Sequence, residues 1–359
     1  MNVKELVSDR SVVVCCGPGG VGKTTTAAVV ALEGAMRGRR SVVVTIDPAR
    51  RLADALGLGS LSDEPRLIDS KGRWGGELWA LMLDTKSTFD TLVTKYAARP
   101  EQAESILSNR FYRNISSALS GTQEYMAMEK LFELHDQNRF DLIVVDTPPT
   151  RNALDFIDAP RRLTRFLDNR VFRLLMLPAR ASLKIVNAAA QPLLRTVSRV
   201  VGFQVVQDAV AFFQAFEGME DGFRDRAQRV LELLSESGTA FVLVSSPRRD
   251  AVREADFFAR KLLEADIAVQ ALVVNRMHPR FGAKTATWAR DRAAAAGAPL
   301  RALYENLADL YEVSDGEEAH LRTLVDRVAP APAVRVPLLV GDVHDLDGLA
   351  EVRSYMFAG

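Results

Sequence analysis

The chain has 359 residues, 48% of them hydrophobic, and its 46 Lys and Arg residues are balanced by 46 Asp and Glu residues. This composition excludes a disordered chain, and the balanced charge argues against a nucleic-acid ligand. No apolar run reaches the ~18 residues of a membrane-spanning helix, and acidic residues stand where a secretion signal would be apolar, so we expect a cytoplasmic protein.

Seven short apolar runs, most of them rich in β-branched residues, alternate with helix-compatible stretches. In chain order the runs are 11–16, 41–46, 78–83, 141–145, 240–244, 269–274 and 334–339. Strands that alternate with helices predict an α/β fold with a doubly wound, mostly parallel sheet and helices on both faces. Pro337 in the last run favours an edge strand or a strand end, because proline has no N–H to donate.

A glycine-rich loop follows the first predicted strand and precedes a helix-compatible stretch, 25–37. The loop fits the phosphate-binding pattern G-x-x-x-x-G-K-[ST], reading Gly17-Pro18-Gly19-Gly20-Val21-Gly22-Lys23-Thr24. Glycines let backbone N–H groups surround phosphate oxygens, and the helix N-terminus adds positive potential. We expect Lys23 to reach the β- and γ-phosphates of a nucleoside triphosphate and the Thr24 hydroxyl to ligate Mg²⁺. The sequence therefore predicts a P-loop NTPase fold, with the nucleotide also held by Gly17, Gly19, Gly20, Val21, Gly22 and Thr25.

Asp47 follows the second predicted strand and opens the segment Asp47-Pro48-Ala49. Ligands of open α/β sheets bind at the carboxyl ends of the strands. We therefore expect Asp47 to face the γ-phosphate and the metal, where it would orient and polarise the attacking water. The alternative interpretation is an Asp-Pro turn that merely ends the strand.

Asp146 ends the predicted strand 141–145 and is followed by Thr147-Pro148-Pro149-Thr150. Four apolar residues that end in an aspartate are typical of the second Mg²⁺ anchor, which acts through a metal-bound water. The polar residues that follow are placed to sense the γ-phosphate. An aspartate at a strand end is also common without such a role.

Strand signals disappear in two stretches, 88–135 and 154–235, where helical periodicity replaces them. Two neighbouring apolar stripes lie in the second stretch, formed by Phe203, Val206, Val210 and Phe213 and by Val205, Ala209, Phe212 and Phe216. Together they make an apolar face wider than one helix contact requires. We therefore predict a helical subdomain inserted into a single nucleotide-binding domain that spans 1–359.

The glycine-rich loop, the segment Asp47-Pro48-Ala49 and the segment Asp146-Thr147-Pro148-Pro149-Thr150 together resemble the arsenical pump-driving ATPase family. That family includes the ATPases that deliver tail-anchored membrane proteins, and it is related to the MinD/ParA partition ATPases. The resemblance extends to Ser120-Gly121-Thr122-Gln123-Glu124, Ser246-Pro247, Val274-Asn275-Arg276 and Val336-Pro337-Leu338-Leu339. It implies an ATPase that uses ATP and Mg²⁺. It also implies that Asn275 reads the adenine base and that the loop after the strand Val336-Pro337-Leu338-Leu339 closes over this base. Arg276 and Pro337 are expected to bind the nucleotide as well.

Pro18 stands where the family carries a lysine that crosses a dimer interface and neutralises charge on the partner's phosphates. Proline has neither charge nor donor for this task. The resemblance therefore implies a homodimer or, with a lysine-bearing paralogue of the same family, a heterodimer. There are three alternatives. Arg50 or Arg51 could take the place of the missing lysine, the enzyme could turn over slowly, or Pro18 could simply make the loop rigid.

The two cysteines of the chain, Cys15 and Cys16, are adjacent. They cannot supply the separated thiolates of the family's arsenite sites, nor the Cys-x-x-Cys pair of its zinc-bridged dimers. The four histidines show no ligand spacing. We expect the cysteines to be core residues and Mg²⁺ to be the only metal.

Basic residues alternate with apolar ones between Arg161 and Arg199, and Asp168 is the only acidic residue there. A basic amphipathic segment suits an anionic membrane surface or an apolar groove with a charged rim, and ordinary packing between helices is the alternative. In the family the corresponding helices bind hydrophobic segments. We therefore expect a hydrophobic client or a membrane-associated partner. The protein itself would be cytoplasmic or would lie at the periphery of a membrane.

Two other functions fit the same motifs. The chain could be an ATP-binding scaffold of weak activity whose catalysis depends on a paralogue. It could also be a positioning ATPase of the MinD/ParA type, although the helical insertion is longer than that group needs. Turnover of ATP with and without a paralogue separates the first of these from a self-sufficient ATPase.

Overall fold

The computed structural model describes residues 3–46, 50–68, 74–115, 122–147, 153–168 and 203–357. Contacts divide the chain into two compact units. The first comprises Met1–Met82, Leu134–Leu154 and Ser237–Gly359, and the second comprises Leu83–Glu133 and Asp155–Glu236. Three separate stretches of sequence therefore build the first unit.

The strands of the described residues form one sheet in the first unit. They are β1 Val12–Cys16, β2 Arg40–Thr45, β3 Arg66–Leu67, β4 Glu77–Met82, β5 Leu142–Asp146, β6 Thr239–Ser245, β7 Val269–Met277 and β8 Ala333–Pro337. Their order across the sheet is β3-β4-β2-β5-β1-β6-β7-β8. All neighbouring strands are parallel except β3 and β4.

The predicted α/β fold with a mostly parallel sheet is confirmed, and each of the seven predicted strands is present. β3 was not predicted because two residues are too few to show a periodicity. β8 is an edge strand, as Pro337 indicated.

The helices of the described residues, numbered in chain order, are α1 Val3–Ser8, α2 Lys23–Met36, α3 Arg51–Ala55, α4 Thr85–Tyr96, α5 Pro100–Ser108, α6 Arg110–Ile115, α7 Thr122–Asp136, α8 Ala153–Leu167, α9 Phe203–Ala215, α10 Glu220–Ser235, α11 Arg249–Glu264, α12 Ala286–Ala295, α13 Ala298–Val328 and α14 Leu346–Phe357. None of them, nor any other helix within the described ranges, is both long and apolar enough to cross a membrane.

Buried small and branched residues bring α2 close to the sheet. Every residue of β1, β5 and β6 is buried, which is typical of central parallel strands covered on both faces. Residues 26–35 of α2 are also all buried, and most are alanine or valine. The helix that follows the glycine-rich loop is thus held firmly in the core of the first unit.

Cys15 and Cys16 lie in β1 and are both buried. Burial raises the pKa of the Cys16 thiol to about 12 and raises that of Cys15 well above its ordinary value. Because the thiolate is the metal-binding and nucleophilic form, both residues act as small core side chains. Within the described ranges, no group of three or more His, Cys, Asp or Glu side chains is placed to hold a metal ion.

Aromatic side chains fill the interior of the second unit. The centroid of the Phe212 ring lies 5.0 Å from that of Phe216 and 5.9 Å from that of Tyr112. The ring centroids of Phe216 and Phe223 are 5.5 Å apart. Phe212 and Phe216 are only 6% and 7% exposed. These two aromatic members of their stripe therefore pack inside the unit, whereas Val205 of the same stripe is exposed. Substituting Phe212 and Phe216 would test folding rather than the binding of a client.

The predicted basic segment falls largely outside the described residues, since 169–202 are not among them. At its start, in α8, Arg161, Arg162 and Arg165 are exposed while Leu167 is buried. This described part has the amphipathic pattern that the sequence indicated.

Candidate functional site

The loop of residues 17–24, which we call the P-loop, joins the carboxyl end of β1 to the start of α2. Three of its glycines have positive φ angles: 143° at Gly17, 73° at Gly20 and 93° at Gly22. A Cβ on Gly17 would lie 2.1 Å from the carbonyl oxygen of Val244, and a Cβ on Gly22 would lie 2.2 Å from Nδ2 of Asn275. Both positions favour glycine by conformation, and Gly17 is also required by sterics because the contact there is with backbone, whereas at Gly22 the Asn275 side chain would have to move.

Replacing Gly17 with alanine should lower the free energy of unfolding of the first unit by at least about 2 kcal/mol, because backbone of β6 must move to admit the methyl group. Gly20→Ala is the matched control, since nothing lies within 4 Å of its Cβ position. It should cost only about 1 kcal/mol for its left-handed backbone. Thermal unfolding of the two variants measures the difference, and equal losses would contradict the steric argument.

Lys23 is the first residue of α2 and is 6% exposed. Its ammonium donates to the carbonyl oxygen of Pro18 at 2.8 Å, so the side chain folds back over the P-loop. Pro18 itself is buried. The P-loop therefore encloses a buried cation at the N-terminus of a long helix, where anions are favoured.

Thr24 and Asp146 meet at the carboxyl edge of the sheet. The Thr24 hydroxyl donates to Oδ2 of Asp146 at 2.7 Å, and the Thr45 hydroxyl donates to the same oxygen at 2.9 Å. Asp146 ends β5 between Cys15 of β1 and Thr45 of β2, and it is 1% exposed. A hydroxyl and a carboxylate, both hard oxygen donors, are thus paired beside the P-loop.

Asn275 and Arg276 of β7 contact the P-loop from the neighbouring side. The Asn275 amide donates to the carbonyl oxygen of Val21 at 3.0 Å, and its Oδ1 accepts from the backbone N–H of Arg276 at 2.9 Å. The Arg276 guanidinium donates to the carbonyl oxygen of Gly20 at 3.3 Å. Arg276 has a φ angle of 63°, which is uncommon for a residue other than glycine.

These residues line one cavity of about 440 Å³ in the first unit, which we call the edge cavity. Nine of the predicted site residues line it: Gly20, Gly22, Lys23, Thr24, Thr25, Asp146, Asn275, Arg276 and Pro337. Gly17, Gly19 and Val21 belong to the P-loop but are not among the lining residues, and Asp47 lies outside the described residues.

Ten further residues line the edge cavity, and several of them had been considered from the sequence. Thr147 follows Asp146 in the segment expected to sense the γ-phosphate, and Arg51 was an alternative to the family's lysine. Leu338, Leu339, Gly341, Asp342 and Val343 belong to the strand end and loop that the family resemblance places over the adenine. Asp54, Ala55 and Val352 were not predicted. Val352 carries no sequence signal, because an aliphatic residue looks the same whether it packs in a core or lines a cavity.

The sequence as a whole is similar to those of known ATPases. A family model described as an anion-transporting ATPase matches residues 10–314. A protein named ATPase get3 from Aspergillus terreus is 24% identical over 344 residues, which cover 95% of this chain and 88% of that protein. A protein named as a candidate arsenical pump-driving ATPase from Aquifex aeolicus is 22% identical, covering 96% of this chain and 78% of its own. An ATPase ASNA1 homolog from Babesia bovis is 25% identical, with coverages of 77% and 69%.

Proposed function

This chain belongs to the anion-transporting ATPase family and is an ATP-hydrolysing enzyme, and from this premise we propose that it binds Mg-ATP in the edge cavity. The observation that carries the proposal is the 2.7 Å contact between Thr24 and Asp146, at the N-terminus of α2 and in the same cavity as Lys23. Calorimetry with Mg-ATP tests it, and a protein that gives no heat and no rise in melting temperature would refute it.

The donor set of the edge cavity fits magnesium. Mg²⁺ takes oxygen ligands and usually binds through one or two side chains, several waters and phosphate oxygens. The Thr24 hydroxyl would be a direct ligand and Asp146 would act through a metal-bound water. When bound, the ion would neutralise charge that develops on the leaving group.

The P-loop supplies the phosphate contacts in this proposal. The Lys23 ammonium would exchange the Pro18 carbonyl for β- and γ-phosphate oxygens, while backbone N–H groups at the start of α2 complete the cradle. The glycines shape the loop so that these groups approach the ligand. Asn275 holds Val21 in place through one N–H of its side-chain amide. Its second amide N–H and its Oδ1 would hydrogen-bond to adenine, next to Arg276 and Pro337.

Asp47 is proposed to orient and polarise the attacking water. Thr45, two residues earlier in the sequence, donates to Asp146, so β2 ends beside the oxygen pair described above. A carboxylate that positions water acts in the chemical step and contributes little to the binding of nucleotide.

Asp47→Asn should therefore lower kcat by about 10²-fold or more while the KM for ATP changes less than about threefold. Single-turnover hydrolysis and the affinity for ADP measure the two effects separately. Asp291→Asn, a change on the exposed surface of α12, is the matched control. A fall in affinity without a fall in kcat would assign Asp47 to binding instead.

We further propose that two such chains, or this chain and a lysine-bearing paralogue, form a dimeric switch that couples hydrolysis to a hydrophobic client or membrane-associated partner. Pro18 supports the heterodimer, because it offers a partner neither charge nor side-chain donor. The exposed arginines in the second half of α8 support an anionic or amphipathic partner. Comparing ATP turnover of this protein alone with turnover after a paralogue is added distinguishes a self-sufficient enzyme from a scaffold.

Arsenite is not proposed as a ligand, although one relative is named as an arsenical pump-driving ATPase. The chain has only two cysteines, and both are buried in β1 with raised pKa values. A positioning ATPase of the MinD/ParA type remains the second candidate, and a long helical unit that occupies two segments of this chain argues against it.

A further inference from the structure

The last part of the chain builds an apolar wall of the edge cavity. Pro337 ends β8, Leu338, Leu339 and Val343 follow it, and Val352 of α14 completes the set. Phosphate oxygens need N–H and cationic partners, whereas the face of a purine packs against aliphatic side chains. If ATP occupies the cavity as proposed above, these five residues, the base wall, form most of the apolar surface available to adenine, which agrees with the place that the family resemblance gives to the loop after β8.

The base wall is attached to the core of the first unit. Leu339 and Val343 pack against the buried hydrophobic cluster that contains Leu349, Val352 and Met356 of α14. The backbone N–H of Leu338 donates to the carbonyl oxygen of Met277 at 2.7 Å. α14 in turn packs against α2 and β8.

An ion pair between a half-buried arginine and a buried carboxylate joins α14 to α2. The Arg353 guanidinium donates through Nε to Oε2 of Glu33, and the Arg37 guanidinium donates to Oε1 of the same carboxylate at 2.6 Å. Glu33 is 1% exposed. A carboxylate is buried at this depth only when it is paired, so both contacts hold it in one place.

The position of this pair connects the two halves of the cavity. Glu33 belongs to the same rigid helix as Lys23 and Thr24, and Arg353 directly follows Val352 of the base wall. A fixed Glu33–Arg353 contact therefore fixes the distance between the phosphate end and the apolar end of the site.

We propose that Arg353 is a positioning residue that holds the base wall against the P-loop helix through Glu33, and so sets the affinity for the nucleoside part of the ligand. The inference rests on the proposed function, because it takes the edge cavity to be the nucleotide site. Arg353 touches no ligand in this scheme and acts only through Glu33 and Val352.

The test compares Arg353→Met with Arg37→Met, which removes the other guanidinium from the same carboxylate without touching α14. For Arg353→Met, the dissociation constants of Mg-ATP and Mg-ADP should rise about tenfold, a factor equal to roughly 1.4 kcal/mol. Inorganic tripolyphosphate with Mg²⁺, measured by competition, should change less than about twofold. The KM for ATP should rise while kcat stays constant.

Each outcome of this test decides the matter. Equal losses for ATP and tripolyphosphate, an equal effect of Arg37→Met, or unchanged affinities would overturn the inference and leave the pair a purely structural one. If Arg353→Met does not fold, Arg353→Gln, which also removes the charge but keeps a polar side chain, provides the same comparison. A wild-type protein that binds neither ATP nor ADP would refute the proposed function itself, which is a different result.

Discussion

Replacing Lys23 with methionine is expected to lower kcat for ATP hydrolysis by about 10²- to 10³-fold, the loss typical of removing one charge that stabilises a transition state. Methionine fills the space of the lysine stem, which matters because the side chain is 94% shielded in its place at the start of α2. The variant therefore removes the charge and keeps the packing.

The physical reason for so large a loss is that, in the transition state, negative charge is spread over the γ-phosphoryl oxygens and builds up on the departing β-phosphate. A buried ammonium at the helix N-terminus acts in a region of low dielectric constant, where its field is hardly screened. In the present structure that ammonium lies 2.8 Å from the Pro18 carbonyl oxygen, within the loop that would enclose the phosphates.

Steady-state hydrolysis and Mg-ATP calorimetry on the same preparation measure this prediction. Lys284→Met, which changes an exposed lysine of the same unit, should leave kcat unchanged. A Lys23→Met protein that melts normally and keeps kcat within about threefold of the wild type would show that the P-loop is not the hydrolytic site.

Replacing Arg226 with methionine should lower the stability of the second unit by about 3–5 kcal/mol, because it leaves a buried carboxylate without its partner. Arg226 of α10 lies 2.5 Å from Oε1 of Glu129 in α7, and the two side chains are 5% and 2% exposed. The guanidinium also lies over the ring of Phe132, 3.8 Å from its centroid.

Glu129 is costly to bury even when it is paired. Burial raises its pKa, and the hydrogen bond and charge of Arg226 only partly oppose this. Among the described residues no donor reaches the second carboxylate oxygen, Oε2. The double variant Glu129→Met/Arg226→Met removes both charges and should therefore recover most of the stability that the single variant loses.

Hydrogen exchange of the α10 amides measures this prediction within the second unit alone, which matters because a chain with two units need not unfold in one step. Arg224→Met on the same helix is the matched control. Arg224 pairs with Asp221 at 2.7 Å and with Asp168 at 3.0 Å, but these groups are exposed, so its loss should cost less than about 1 kcal/mol. Equal protection losses for Arg224→Met and Arg226→Met would contradict the argument from burial.

The sheet and the P-loop could be predicted because their signals are local. Each long strand appears as a run of buried apolar residues, and Lys23 and Thr24 stand within a few residues of the glycines that shape the loop. The place of Asp146 followed from the same logic, since the carboxyl ends of parallel strands meet at one edge. The two-residue strand β3 gave no such signal.

Other expectations depended on contacts that a sequence pattern does not contain. Phe212 and Phe216 form a stripe that suits either an open groove or a buried contact, and the aromatic rings of Tyr112 and Phe223 decide for burial. Val352 carries no signal for a cavity, because its role depends on where α14 packs.

By itself, therefore, the sequence determined the α/β architecture, the phosphate-binding loop and the aspartate that accompanies it, since these follow from periodicity, from glycine conformations and from the order of strand and helix. Only the tertiary structure decided which distant side chains meet: Asn275 with Val21, Arg353 with Glu33, and Arg226 with Glu129. Their members are separated by 254, 320 and 97 residues, and each contact forms only when two packed elements bring complementary groups within hydrogen-bond distance.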